Sequence, residues 1–87
     1  EVPCLVDSLG IHPMTVGDIP PQLAALNRSN IVVQELGVKA VLEGSQEAAR
    51  YAVLLDPLTA ASIPLDRIDE MFDAMWAAHG DQLAAYS

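Results

Sequence analysis

The sequence predicts a mostly α-helical chain that opens on a small β-hairpin, and three observations carry that prediction. Two short apolar runs, residues 2–6 and 11–16, flank a Ser8-Leu9-Gly10 turn. The punctuation Gly17-Asp18-Ile19-Pro20-Pro21 then opens a helical run over about residues 21–43. Two shorter helical stretches follow, over about 45–56 and 64–79. All of it reads as a single partial domain spanning residues 1–87, with the hairpin in residues 1–16.

Each element has a local cause. The two apolar runs are partly β-branched, and Gly10 between them is free to take the positive φ that a tight hairpin demands. Pro3 and Pro13 each remove a ladder donor, which pushes both runs towards sheet edges. A lone two-stranded hairpin is marginal in water, so this one calls for a sheet or helix beneath it. Pro20-Pro21 suits the first turn of a helix, and Gly44 suits its end. At about 100° per residue, Arg28, Glu35, Lys39 and Glu43 gather on one side of that helix. Glu35 and Lys39 form an i,i+4 pair. Leu23, Leu26, Ile31, Val33, Val38, Ala40, Val41 and Leu42 spread over the other half, an apolar arc wide enough to imply contacts on more than one side.

Ser45 is placed to cap the next helix, whose Ala48, Ala49 and Ala52 allow close approach. Asp56-Pro57 breaks it, because the residue before a proline is disfavoured as αR. Residues 58–63 read as one short turn. The last helix sets Leu65, Ile68, Met71, Phe72, Met75 and Trp76 on one face and Asp66, Asp69, Glu70 and Asp73 on the other. Gly80 ends it, and residues 81–87 are expected to add a frayed turn.

Composition excludes several function classes. The chain is 52% hydrophobic and only 18% charged, with a mean hydropathy of +0.29. A chain of this length buries about 60–65% of its unfolded surface, so apolar surface is expected to meet a missing domain or a second copy. No run approaches the roughly 18–20 apolar residues of a membrane span. Twelve acids against four bases give a net charge of −8, which leaves too few cations for the phosphate contacts of nucleic-acid binding. The single Cys4 permits no internal disulfide and fits a reducing compartment, so a cytoplasmic location is expected. Glu1-Val2-Pro3-Cys4 reads as a strand already under way, without an initiator Met or a signal-peptide pattern, as though cut from a longer polypeptide.

Few residues invite chemistry. Cys4 reads as a small buried hydrophobe. His12 borders the hairpin's second strand, where it either faces a cleft or serves the structure. Asn27, Asn30 and Gln34 recur at i, i+3 and i+7 within the apolar arc, where an amide costs roughly 1–3 kcal/mol unless hydrogen-bonded. They are expected to satisfy the backbone of the 17–21 loop or of the hairpin; the functional reading sets them beside a substrate pocket or a subunit interface. The acidic stripe reads as a solvated helix face, and Phe72, Met75 and Trp76 as core or interface.

The order of hairpin, Gly-Asp-Ile-Pro-Pro loop and long helix, with Asp56-Pro57-Leu58-Thr59-Ala60 further on, resembles the C-terminal end of glycoside hydrolase family 4. Ile19-Pro20-Pro21-Gln22 stands where that family has Leu-Pro-Pro-Gln, and the likeness runs from Glu1 to about His79. The resemblance implies the lactate-dehydrogenase-like C-terminal α+β domain of an NAD- and manganese-dependent glycosidase. It implies a route of sugar oxidation, proton abstraction, elimination and water addition, rather than a nucleophilic carboxylate pair. The family's metal-binding Cys and His, its NAD loop and its acid and base candidates match no position here, so no cofactor, metal or catalytic residue is assigned to this segment. His12, Gln22, Asn27 and Asn30 are the substrate-pocket candidates. The expected partners are the rest of the enzyme or a second copy, in a homo-oligomer, and the segment alone should be inactive. The alternative reading is a free-standing helical module that self-associates through Val33, Val41, Phe72 and Trp76.

Overall fold

The computed structural model describes residues 1–87 as a hairpin followed by helices. The elements are β1 (Cys4–Asp7), β2 (Gly10–Pro13), α1 (Pro21–Glu43), α2 (Gln46–Leu54), α3 (Pro57–Ser62), α4 (Leu65–Ala78) and a closing 3₁₀ turn at Gly80–Gln82. No helix is long and apolar enough to cross a membrane.

The strands pair antiparallel, with Cys4 opposite Pro13, Leu5 opposite His12, Val6 opposite Ile11 and Asp7 opposite Gly10. Two residues, Ser8 and Leu9, make the turn. The Asp7 carboxylate accepts the Leu9 N–H at 2.7 Å, and Gly10 takes a φ of 124° that side-chain-bearing residues rarely adopt. The strands are shorter than the apolar runs that suggested them, because Pro3 and Pro13 sit at their ends.

Helix α1 begins at Pro21, whose missing N–H would have had no partner anyway. The Pro20 carbonyl accepts the Leu23 and Ala24 N–H groups at 3.0 Å each. The helix stops at Gly44, in the left-handed region at φ 62°, and the Ser45 N–H returns to the Ala40 carbonyl at 3.0 Å. Lys39 reaches forward to Glu43 at 3.9 Å, so the expected Glu35 pair does not form. Ser45 caps α2 by accepting the Ala48 N–H at 3.2 Å.

Two local expectations are corrected. Residues 58–63 do not make a bare turn. Pro57 starts the six-residue helix α3, because Asp56 accepts both the Thr59 N–H at 2.9 Å and its hydroxyl at 2.8 Å. That cap holds the Asp56 carboxyl below its usual range, through the backbone bond first and the hydroxyl bond second. Residues 81–87 do not fray. The Ser87 N–H donates to the Gly44 carbonyl at 2.8 Å, and the Gln46 N–H donates back to the Ser87 carbonyl at 3.1 Å. A side chain at Gly44 would meet the Ala85 carbonyl at 3.0 Å, so glycine is needed there twice over. Tyr86 meets the edge of Trp76 with ring centroids 5.8 Å apart, and Trp76 stacks on Phe72 at 5.1 Å.

The core lies at the corner where α2 packs between α1 and α4. Only Ala40, Ala48, Ile68 and Phe72 are buried, four of 87 residues. Arg50 of α2 fastens this corner from outside. Its guanidinium donates to both Asp69 and Asp73 of α4 and stands 4.5 Å from the centroid of the Phe72 ring. The Asp73 and Asp69 bonds raise its pKa. Part of the acidic stripe is therefore the counter-charge for α2, not simply a solvated face.

Elsewhere the chain is open. Its radius of gyration is 18.1 Å and its extents are 52 × 31 × 14 Å, against about 12 Å for a compact chain of this length. Helix α1, about 34 Å long at 1.5 Å per residue, outreaches the shorter α2 beside it. Every residue of both strands is exposed.

Candidate functional site

The polar candidates sit on the open half, where the hairpin, the loop after it and the first turns of α1 follow one another. In an antiparallel pair, directly opposed residues share a face. Leu5, Asp7 and His12 therefore lie on one face of the hairpin, and Cys4, Val6, Ile11 and Pro13 on the other. His12 Nε2 lies 3.0 Å from Asp7 Oδ1. An ionised carboxylate only accepts, so His12 Nε2 is the donor in this bond. The His12 bond, followed by the Leu9 N–H, holds the Asp7 carboxyl below its usual range. Both side chains remain nearly half exposed, at 47% and 44%, and no nucleophile stands beside them.

Cys4 is exposed rather than buried, because no layer covers its face of the hairpin. It points away from His12, so the two cannot share a metal ion. No group of three or more His, Cys, Asp or Glu side chains is arranged to hold one. Nor does the antiparallel pair offer the parallel βαβ unit whose helix N-terminus receives a dinucleotide phosphate.

On α1, Gln22, Asn27 and Asn30 are all exposed. Asn27, Asn30 and Gln34 share a stripe, while Gln22 points about 140° away from Asn27 by helix geometry. Asn30 Nδ2 donates to the Leu26 carbonyl one turn earlier, at 3.4 Å. The amide bonds its own helix, not the loop or the hairpin as expected, since neither covers that face. Ser29 donates to the same carbonyl at 2.7 Å.

Away from that stripe, on the other side of α1, runs a shallow groove of about 600 Å³, lined by Pro21, Ala24, Ala25, Arg28, Val32 and Leu55 among others. Arg28 is its cation. Lys39, Arg50 and Arg67 all hold acidic partners, whereas Arg28 holds none. The signal was present in the sequence: Ala24, Ala25, Ile31 and Val32 occupy its i±3 and i±4 positions, so this base alone among four lacks an acid there. The Asp7–His12 couple was harder to see, because it depends on register across the turn.

Residues 1–59 match the family 4 glycosyl hydrolase C-terminal domain, and the chain belongs to that family. It is 43% identical over 86 residues to an α-galactosidase of Bacillus subtilis (strain 168), covering 99% of this chain and 20% of that protein. It is 32% identical over 87 residues to an α-galactosidase of Rhizobium meliloti (strain 1021), covering 100% of this chain and 18% of the relative. A maltose-6'-phosphate glucosidase of Fusobacterium mortiferum is 31% identical over 75 residues, 85% of this chain and 17% of its own length. The chain thus spans about a fifth of the length of these relatives. No solved structure matches it.

Proposed function

We propose that residues 1–87 are the C-terminal segment of a family 4 glycosidase that cleaves α-galactosides, and that they have no activity alone. The observation that carries this reading is the 43% identity across 99% of the chain to an α-galactosidase. The phospho-α-glucosidase relatives match less of the chain or less closely, as with the 41% identity over 56 residues to a phospho-α-glucosidase of Clostridium acetobutylicum. The NAD- and manganese-dependent route implied by the family belongs, in this reading, to the remaining four-fifths of the enzyme. Residues 1–87 contribute a wall: the half-exposed His12, the stripe of Asn27 and Asn30, and Gln22 at the start of α1 are set to border the sugar pocket.

The test is hydrolysis of a nitrophenyl α-galactoside by the complete polypeptide, supplied with NAD and Mn²⁺, beside the 87-residue chain. Turnover by the complete polypeptide only is expected. Turnover of phospho-α-glucosides instead would correct the substrate, and activity in the short chain would overturn the segment reading.

Self-association accompanies this proposal. Leu26, Val41 and Leu42 of α1 are 67%, 66% and 80% exposed, and continuous apolar patches beyond a few hundred Å² are rare on monomers. Twofold closure is the commonest outcome for identical chains. Light scattering at micromolar concentration should give twice the monomer mass, and a concentration-independent monomer would refute it.

A further inference from the structure

The two edges of the hairpin are not equivalent. The Met14 N–H donates to the Pro3 carbonyl at 2.9 Å, which makes residues 3 and 14 a hydrogen-bonded pair in the register that also opposes Leu5 to His12. Antiparallel pairs alternate, so the intervening residues turn their N–H and C=O groups outward. On β1 these are Cys4 and Val6; on β2 they are Ile11 and Pro13. Proline has no N–H to offer, so the outer edge of β2 is blunted at Pro13. The outer edge of β1 keeps a full set of donors and acceptors.

The two faces differ as well. One carries Cys4, Val6, Ile11 and Pro13, with Val6 and Ile11 about 70% exposed; the other carries the Asp7–His12 couple beside a single large apolar side chain, Leu5. One apolar and one polar face is the pattern of an antiparallel sheet packed on one side only.

We propose that β1 is a docking edge: a strand from the remaining four-fifths of the family 4 enzyme pairs with Cys4 and Val6, and an apolar layer of that enzyme covers Val6 and Ile11. This rests on the reading of residues 1–87 as a segment of such an enzyme. A second copy of the chain is the poorer occupant. Twofold pairing of two β1 edges gives a four-stranded sheet whose Val6–Ile11 face stays bare in both copies, since the chain's own helices leave its hairpin exposed. The larger enzyme supplies both strand and layer, and the polar face, with His12, is then left towards the pocket.

Amide hydrogen exchange at residue resolution, on the complete polypeptide and on the 87-residue chain, tests this. In the complete polypeptide, the Cys4 and Val6 amides should exchange at least about 100-fold more slowly than in the short chain, with Ile11 remaining the faster. Val6→Pro in the complete polypeptide should release the Cys4 amide while the inward Leu5 and His12 amides stay protected. Unprotected Cys4 and Val6 would overturn the proposal, as would Ile11 protected equally. Protection that appears in the short chain with rising concentration would assign the edge to a second copy and overturn it too. Exchange is read independently of turnover. An active enzyme with an unprotected β1 sinks this inference alone, and an inactive one with a protected β1 sinks the α-galactosidase reading alone.

Discussion

The corner formed by α2, α4 and the C-terminal residues differs from the hairpin and first half of α1 in how each holds its shape. The corner has tertiary contacts: Ile68 is 1% exposed, Arg50 ties two helices, and Ser87 is bonded into the α1–α2 junction. The open half has only local ones, a two-stranded ladder, a turn closed by Asp7, and side chains bonded to their own helix. Local bonds shape a segment, yet they bury little apolar surface, and burial is the dominant favourable contribution to stability. The corner is therefore the part of this chain able to stabilise itself, and the open half is the part that leaves its apolar side chains exposed.

That contrast is broken most directly at Ile68. Replacing it with alanine removes the most buried large side chain and should cost about 2–5 kcal/mol, read as a lower urea midpoint. Leu5→Ala, on the open half, should stay within about 0.5 kcal/mol in the same chain. Equal losses would mean that the hairpin is covered after all.

Arg50→Ala comes next. It removes two ion pairs worth about 0.2–1 kcal/mol each at a surface and a cation–π contact worth about 0.5–1 kcal/mol. A loss of about 1–2 kcal/mol is expected, shrinking in high salt as the ion pairs are screened. A salt-independent loss would point to packing of the arginine stem instead.

Acid should act on both halves through their caps. The carboxyls of Asp56 and Asp7 have folded-state pKa values below the ordinary 3.8. Their contribution is fully present above that value and is lost as pH falls through the lowered folded value. Stability followed by circular dichroism should hold level above about pH 5 and decline towards pH 3. Asp56→Asn, which keeps a capping oxygen but does not titrate, should flatten that decline.

The smallest effect is expected at Asn30. Because it is exposed and bonds only the Leu26 carbonyl, Asn30→Leu should change stability by no more than about 0.5 kcal/mol. A loss of about 1–3 kcal/mol would restore the view that it satisfies buried backbone.

Much of the fold was legible because its signals are local. Gly10, Pro21, Gly44, Ser45 and Asp56 each act within a turn of their own position, and hairpin, long helix and last helix fall where those residues put them. The α3 turn is harder to read for a related reason: Asp56 before Pro57 is a helix stop and also, through its bonds to Thr59, a helix start. The candidate site was less legible. Arg28 could be found by looking for missing acids along one helix, whereas the Asp7–His12 bond needs strand register, and the Arg50 bridge needs α2 and α4 side by side.

The sequence by itself determined the order of elements, the family, and an excess of apolar side chains over what 87 residues can enclose. Capping, proline geometry and composition require no knowledge of distant neighbours. Only the tertiary structure decided which apolar residues are enclosed, that Cys4 and His12 face opposite ways, that the C-terminus is tied to Gly44, and that the open edge belongs to β1. Each of these depends on which residues meet across the fold, and hydrophobic periodicity, which marks a face as apolar, does not specify what will cover it.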